Sequence, residues 1–121
     1  MQKLLNGTGL PFTMANDSLA VVPYKGENIS SYQVLVQKIG DLYIIYTNLT
    51  DALGNIEETK FKYLLQQNDH FDIIKIGLGN DNVIYIRADV YRANMNTTLL
   101  ARIIKQVANV TNIITGELKH S

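Results

Sequence analysis

Apolar and polar positions change their period along this chain, and the changes mark its elements. Within Ile29–Ile39, Tyr32, Val34 and Val36 point one way while Gln33, Leu35 and Gln37 point the other, the two-residue period of a strand. Gly40-Asp41 turns the chain, and Leu42–Leu49 returns as a further strand. Here Leu42, Ile44 and Tyr46 share one face, and Tyr43, Ile45 and Thr47 the other, so both faces are apolar. A strand in a half-solvated antiparallel sheet alternates apolar with polar residues. The second face of this strand therefore predicts cover by another element or another chain. Upstream, Ser18–Tyr24 reads as a short strand whose Pro23 cannot donate to a ladder, which places it at a sheet edge or a strand end. Gly26-Glu27-Asn28 is the turn between these strands.

The period then lengthens. Over Asn55–Gln67, Phe61, Leu64 and Leu65 fall at helical spacing, with Lys60, Lys62, Gln66 and Gln67 on the polar side. Asn55 is the expected N-cap, with Glu58 at capping-box distance, and Asn68-Asp69 ends the helix. A hairpin follows. Ile74, Ile76 and Leu78 form one face of a fourth strand, and Gly79-Asn80-Asp81 supplies turn residues that tolerate positive φ. In the fifth strand, Val83, Tyr85 and Arg87 alternate with Ile84, Ile86, Ala88 and Val90. The Ile84 face is predicted to meet the helices, and the mixed Tyr85 face to see solvent or a partner.

Asn96 opens a helix over Thr97–Thr115 with a buried stripe of Leu100, Ile103, Ile104, Val107 and Ile114, joined by Val110 or Thr111. Gly116 stands where a C-terminal cap glycine belongs. A helix of roughly 19 residues spans about 28 Å, enough to lie across the sheet. Before the first strand, Leu4, Leu5 and Leu10 form an apolar cluster broken by Gly7 and Gly9, read as helical turns that stop before Pro11. The pattern predicts one α+β domain over residues 1–121. Its order is (α)-β-β-β-α-β-β-α, a five-stranded antiparallel sheet with helices packed on one face.

Composition narrows the function. The 121 residues are 46% hydrophobic, with 11 basic and 11 acidic side chains and a formal net charge of zero. That is enough apolar surface for a core, and no basic stripe offers itself to nucleic acid or to an anionic membrane. There is no cysteine, which excludes thiol chemistry and cysteine metal sites. Neither a signal-peptide pattern nor an apolar run of the ~20 residues needed to span a bilayer occurs, so the expected setting is cytoplasmic. Sequons at Asn6, Asn16, Asn28, Asn48, Asn96 and Asn109 are chance matches in an asparagine-rich chain.

Candidate chemistry is sparse. His70, between Asp69 and Asp72, lacks a second histidine and the facing geometry of a helical pair, and reads as a polar loop residue. His120 lies in the polar tail. Gly77-Leu78-Gly79-Asn80-Asp81 leads into a strand where a phosphate loop leads into a helix N-terminus, so it is a hairpin turn. The acids of Asp51–Glu58 do not follow calcium-loop spacing. None of Ser18, Ser30, Ser31 and Ser121 sits in a nucleophile elbow. No catalytic residue, cofactor site or metal site is expected. Tyr32, Tyr43, Tyr46 and Tyr85 all fall on strands, where tyrosine serves either cross-strand packing or an interface.

Three stretches together resemble a known family. Leu64-Leu65-Gln66-Gln67-Asn68 closes a helix ahead of a hairpin, Val83–Asp89 is its second strand, and Leu99–Val107 lies in a long final helix. From about Leu10 to Thr115 this is similar to the type III secretion chaperone-like fold, shared by chaperones of the CesT/Tir-chaperone kind and by the YbjN-type family. The resemblance implies a homodimeric, non-enzymatic domain that binds polypeptide, since the secretion chaperones hold extended client segments against their sheets. The short first helix and the neutral charge depart from the secretion chaperones and favour the YbjN-like branch. Leu35, Tyr43, Ile45, Tyr85 and Arg87 are the expected interface residues, with a second copy, a client or a signalling protein as partner. Two other readings stand beside this one: a small-ligand or enzymatic domain with a pocket between sheet and helix, and a roadblock- or profilin-like scaffold.

Overall fold

The computed structural model describes residues 1–29, 31–54 and 56–119. Asn55, expected as a helix cap, and Ser30, His120 and Ser121 lie outside them. The described elements are α1 (Gln2–Thr8), β1 (Thr13–Asn16), β2 (Leu19–Tyr24), β3 (Tyr32–Ile39), β4 (Leu42–Asn48), α2 (Leu49–Leu53), α3 (Phe61–Gln66), β5 (Lys75–Leu78), β6 (Ile84–Tyr91) and α4 (Thr97–Lys119). Short 3-10 turns flank α3 at Glu58–Lys60 and Gln67–His70. The architecture is α+β, built on one antiparallel sheet in the order β1-β2-β3-β4-β6-β5.

The sheet has six strands and not the expected five. The added strand is β1, whose residues Thr13-Met14-Ala15-Asn16 carry no apolar alternation and are mostly exposed. It pairs with β2 through a tight turn, in which Ser18 N–H donates to Asn16 Oδ1 at 2.8 Å. Consequently β2 is internal, and Pro23 sits at its far end, past Val21 where β1 stops pairing. Its missing donor therefore costs no ladder bond.

Side chains of alternate residues define two faces. Tyr32, Val34 and Val36 of β3, Tyr43, Ile45 and Thr47 of β4, and Ile84, Ile86 and Ala88 of β6 are buried together. Against them lies α4, which contacts β3, β4 and β6. Its stripe of Leu100, Ile103, Ile104, Val107, Val110, Thr111 and Ile114 is buried as its helical period requires. Tyr32 crosses the layer and donates its hydroxyl to the Ala108 carbonyl at 3.1 Å. Helix α1 packs on α4. The two come close at Gly7, where a Cβ would stand 2.8 Å from Thr97 Cγ2. Helix α1 ends at Gly9, whose φ of 74° closes it before Pro11 is reached.

Several boundaries differ from expectation for local reasons. Leu49 leaves the sheet to start α2, because Asn48 Oδ1 accepts the Asp51 N–H at 2.9 Å. Gly116 does not end the last helix, which runs on to Lys119. It is small because the 26–29 turn packs there, with Asn28 Nδ2 at 2.8 Å from the position of a Cβ. In the β5–β6 turn the residue with positive φ is Asn82, at 62°. The turn is closed by Gly79 N–H to Val83 C=O at 2.9 Å and Asn82 N–H to Gly79 C=O at 3.0 Å.

Candidate protein-binding face

Among the described residues the long helix α4 packs on the core face, and the opposite face is left mostly open, with α2 beside it at one end, where Asp51 and Ala52 line a hollow with Leu35. This open face carries Leu35 of β3, Leu42, Ile44 and Tyr46 of β4, and Tyr85, Arg87, Asp89 and Tyr91 of β6, all half-buried or exposed. The pairing register brings them into rows. Leu35 lies opposite Tyr46 and Tyr46 opposite Arg87, while Ile39, Leu42 and Tyr91 line up across β3, β4 and β6. Ile39 is 51% exposed and Tyr91 65%, so the last row is an apolar strip open to solvent.

This register corrects part of the expected interface. Tyr43 lies opposite Val90 and Ile45 opposite Ala88, which puts both on the core face. They are 3% and 0% exposed, packed under α4, and a partner on the outside does not reach them. Leu35, Tyr85 and Arg87 do share the open face. Beside them lie Leu42, Ile44 and Tyr46, the other side of the same doubly apolar strand, of which the sequence marks only Tyr46 as a candidate, among the strand tyrosines.

The polar groups of the face are tied to one another. Tyr46 and Tyr85 meet edge to face, with ring centroids 5.8 Å apart, the arrangement that opposes a positive ring edge to a negative face. The Tyr85 hydroxyl donates to Asp81 Oδ2 at 3.3 Å, and the Tyr46 hydroxyl to Gln37 Oε1 at 3.5 Å. Burial pushes the Tyr46 phenol above its ordinary value, and burial together with Asp81 does the same for Tyr85. Both rings are therefore neutral, contact-ready surfaces at ordinary pH. Arg87 forms a two-point pair with Asp89, Nε to Oδ1 at 3.0 Å and Nη2 to Oδ2 at 2.8 Å. That hydrogen bonding raises the guanidinium further above its usual range.

Other candidate sites are placed elsewhere. His70 is exposed and lines a shallow hollow of about 250 Å³ with Phe71, Asp72, Gln106 and Asn109. Among the described residues no three potential metal ligands gather, and no described helix is long and apolar enough to cross a membrane. Several hollows lie beside the helices: one of about 230 Å³ between β3, β4 and α2, lined by Tyr32, Gln33, Leu35, Asn48, Asp51 and Ala52, and a smaller one between α3 and the β5–β6 hairpin. Phe61, Leu64, Leu65, Ile76, Leu78 and Ile84 line the smaller one, whose volume is about 60 Å³.

No known family matches the sequence, and no curated protein does. Solved structures do match in shape. A chain of the ExsC–ExsE complex superposes with a TM-score of 0.67 at 14% identity, over 96% of this chain and 88% of that one. A chain of the heterodimeric ExoU–SpcU complex, from the type III secretion system of Pseudomonas aeruginosa, gives 0.58 at 12% identity, over 98% and 93%. The chain has the type III secretion chaperone-like fold.

Proposed function

We propose that this protein is a non-enzymatic, chaperone- or adaptor-like domain that binds another polypeptide on the open face of its sheet and works as a homodimer. The observation that carries the reading is the uncovered face itself. Leu35, Ile44, Tyr46 and Tyr85 lie together there, beside the open strip of Ile39, Leu42 and Tyr91. Tyrosine and aliphatic side chains give large contact area at small entropic cost, and scattered apolar residues would not fall in register across three strands. The fold supports the same reading, since the solved structures it resembles are two-protein complexes. A formal charge of zero favours the YbjN-like branch over a secretion chaperone.

The test compares proteins captured from the native cell by wild type and by a double variant, Leu35→Asp with Ile44→Asp. A partner that wild type retains and the double variant loses supports the reading. Identical captures by the two proteins oppose it. Size-exclusion chromatography with light scattering tests the homodimer, and a strict monomer at micromolar concentration rules it out.

A further inference from the structure

One end of the open face is walled by a helix. Asn48 ends β4 there and caps α2, its Oδ1 accepting the Asp51 N–H at 2.9 Å. Thr50 Oγ1 accepts the Ile84 N–H at 3.0 Å, which ties the first turn of α2 to the start of β6. Held at both points, this turn supplies Asp51 and Ala52 as one wall of the hollow of about 230 Å³, and Gln33 and Leu35 of β3 supply another. Asp51 is exposed, and among the described residues its carboxylate has neither a hydrogen bond nor an ion pair. The strand register sets Tyr85 directly opposite Asn48, so the Tyr46–Tyr85 ring pair adjoins the hollow. Burial first, then Asp81, Tyr46 and Asp51, raise the Tyr85 phenol, and the two carboxylates make the field at this end negative. The cations nearby on the face do not cancel it. Arg87 is held by Asp89, and Lys75 turns its Nζ to the carbonyls of Asn68 and Phe71 at the sheet edge.

We propose that this hollow receives a basic side chain, arginine or lysine, of the polypeptide bound on the open face, its stem against Leu35 and Ala52 and its charge beside Asp51 and the Tyr85 ring. The inference rests on the reading of that face as a polypeptide-binding surface and names the chemistry of its partner. Arginine and lysine lay an apolar stem along apolar walls and keep a charged head at the rim, and a cation beside a tyrosine ring gains from the ring quadrupole. An acidic side chain would meet Asp51 as a like charge. A wholly apolar one would take water from Asp51, Gln33 and Asn48 without replacing its hydrogen bonds. The far row of the face, Ile39, Leu42 and Tyr91, is apolar. The partner is thus a segment with a basic residue to one side of its apolar residues, and that residue fixes which way round the segment lies.

The test selects a random-peptide library separately against wild type and Asp51→Lys, checks the binders on Leu35→Asp/Ile44→Asp, and titrates the most enriched wild-type peptide. Wild type is expected to enrich arginine or lysine at one fixed distance from the apolar positions, and Asp51→Lys to enrich aspartate or glutamate there. Replacing that basic residue by glutamine is expected to weaken binding to wild type about tenfold, the sum of an exposed ion pair and a ring contact. On Asp51→Asn the same replacement is expected to cost about threefold or less. Circular dichroism reports folding. If the Asp51 variants do not fold, the wild-type amide resonances of Asp51 and Ala52 decide, and peptide-induced shifts there that persist after the replacement overturn the proposal. Binders lost in Leu35→Asp/Ile44→Asp that show no basic preference, or that carry an apolar residue at that position, overturn this inference and leave the open-face reading standing. A library without binders, or binders that the double variant retains, overturns that reading and this inference with it. Concentration-dependent shifts of Asp51 and Ala52 without peptide would place a second copy in the hollow and overturn the proposal.

Discussion

Ile44 and Ile45 are neighbours of the same type on opposite faces of β4, and they make the sharpest comparison the fold offers. Ile45 is fully buried between β4 and α4, whereas Ile44 is half-buried on the open face. Truncating Ile45 to alanine removes three carbons from a closed core. At about 0.8 kcal/mol per buried CH₂ the transfer loss is about 2.4 kcal/mol. The space left beneath α4 adds a cavity term, which brings the loss to about 4 kcal/mol, within the range for such changes. Ile44→Ala forfeits about half the transfer term and leaves no cavity, about 1 kcal/mol. The gap of about 3 kcal/mol is more than a hundredfold in the folding equilibrium. Urea unfolding followed by far-ultraviolet circular dichroism measures both, since the chain has no tryptophan. Equal losses at the two positions, at a concentration low enough to leave the protein monomeric, would refute the assignment of faces. A loss at Ile44 that grows with protein concentration would instead report an interface there.

Tyr32→Phe removes the hydroxyl that bonds the Ala108 carbonyl and is expected to cost about 1 kcal/mol in the same assay. Burial, with a smaller effect of Tyr24, pushes the Tyr32 phenol up to about 12. The stability it contributes is thus fully present below pH 10, its ordinary value, and is lost as pH rises through about 12; the Phe variant lacks that part of the alkaline decline. Asn96 Oδ1 accepts the Leu99 N–H at 2.8 Å at the start of α4, so Asn96→Ala should lower stability by about 1 kcal/mol, seen as a fall in the unfolding midpoint. Arg87→Ala breaks an exposed pair with Asp89 and should change stability by less than about 1 kcal/mol while weakening partner binding, which calorimetry separates from folding.

Period-two and helical patterns make the central elements legible in the sequence. Tyr32, Val34 and Val36, and likewise Ile84, Ile86 and Ala88, face the helices as their alternation requires. The cover of β4 is only half legible. Leu42–Asn48 is apolar on both sides, so its own pattern does not say which side faces the helices. That is decided by pairing with β6, which sets Ile45 beside Ala88, and pairing register is a tertiary fact. Thr47 is a weak local signal: among aromatic and branched neighbours it is the residue whose hydroxyl bonds inward, to the Gln33 carbonyl at 3.0 Å. Strand β1 is illegible because it is short, polar and held by a single neighbour. Gly116 misleads because a glycine near a helix end has two physical uses, a left-handed cap or room for a neighbour, and Asn28 supplies the neighbour.

The open face itself is tested most directly by a bound peptide. A random-peptide library would be selected against the wild-type protein, and the most enriched peptide titrated while backbone and side-chain resonances are followed. The account predicts shifts concentrated at Leu35, Ile44, Tyr46, Tyr85 and Arg87, with binding lost in Leu35→Asp/Ile44→Asp. Enrichment of peptides whose shifts fall on α4 or in the α3–β5 cleft, with the double variant binding as well as wild type, would contradict it.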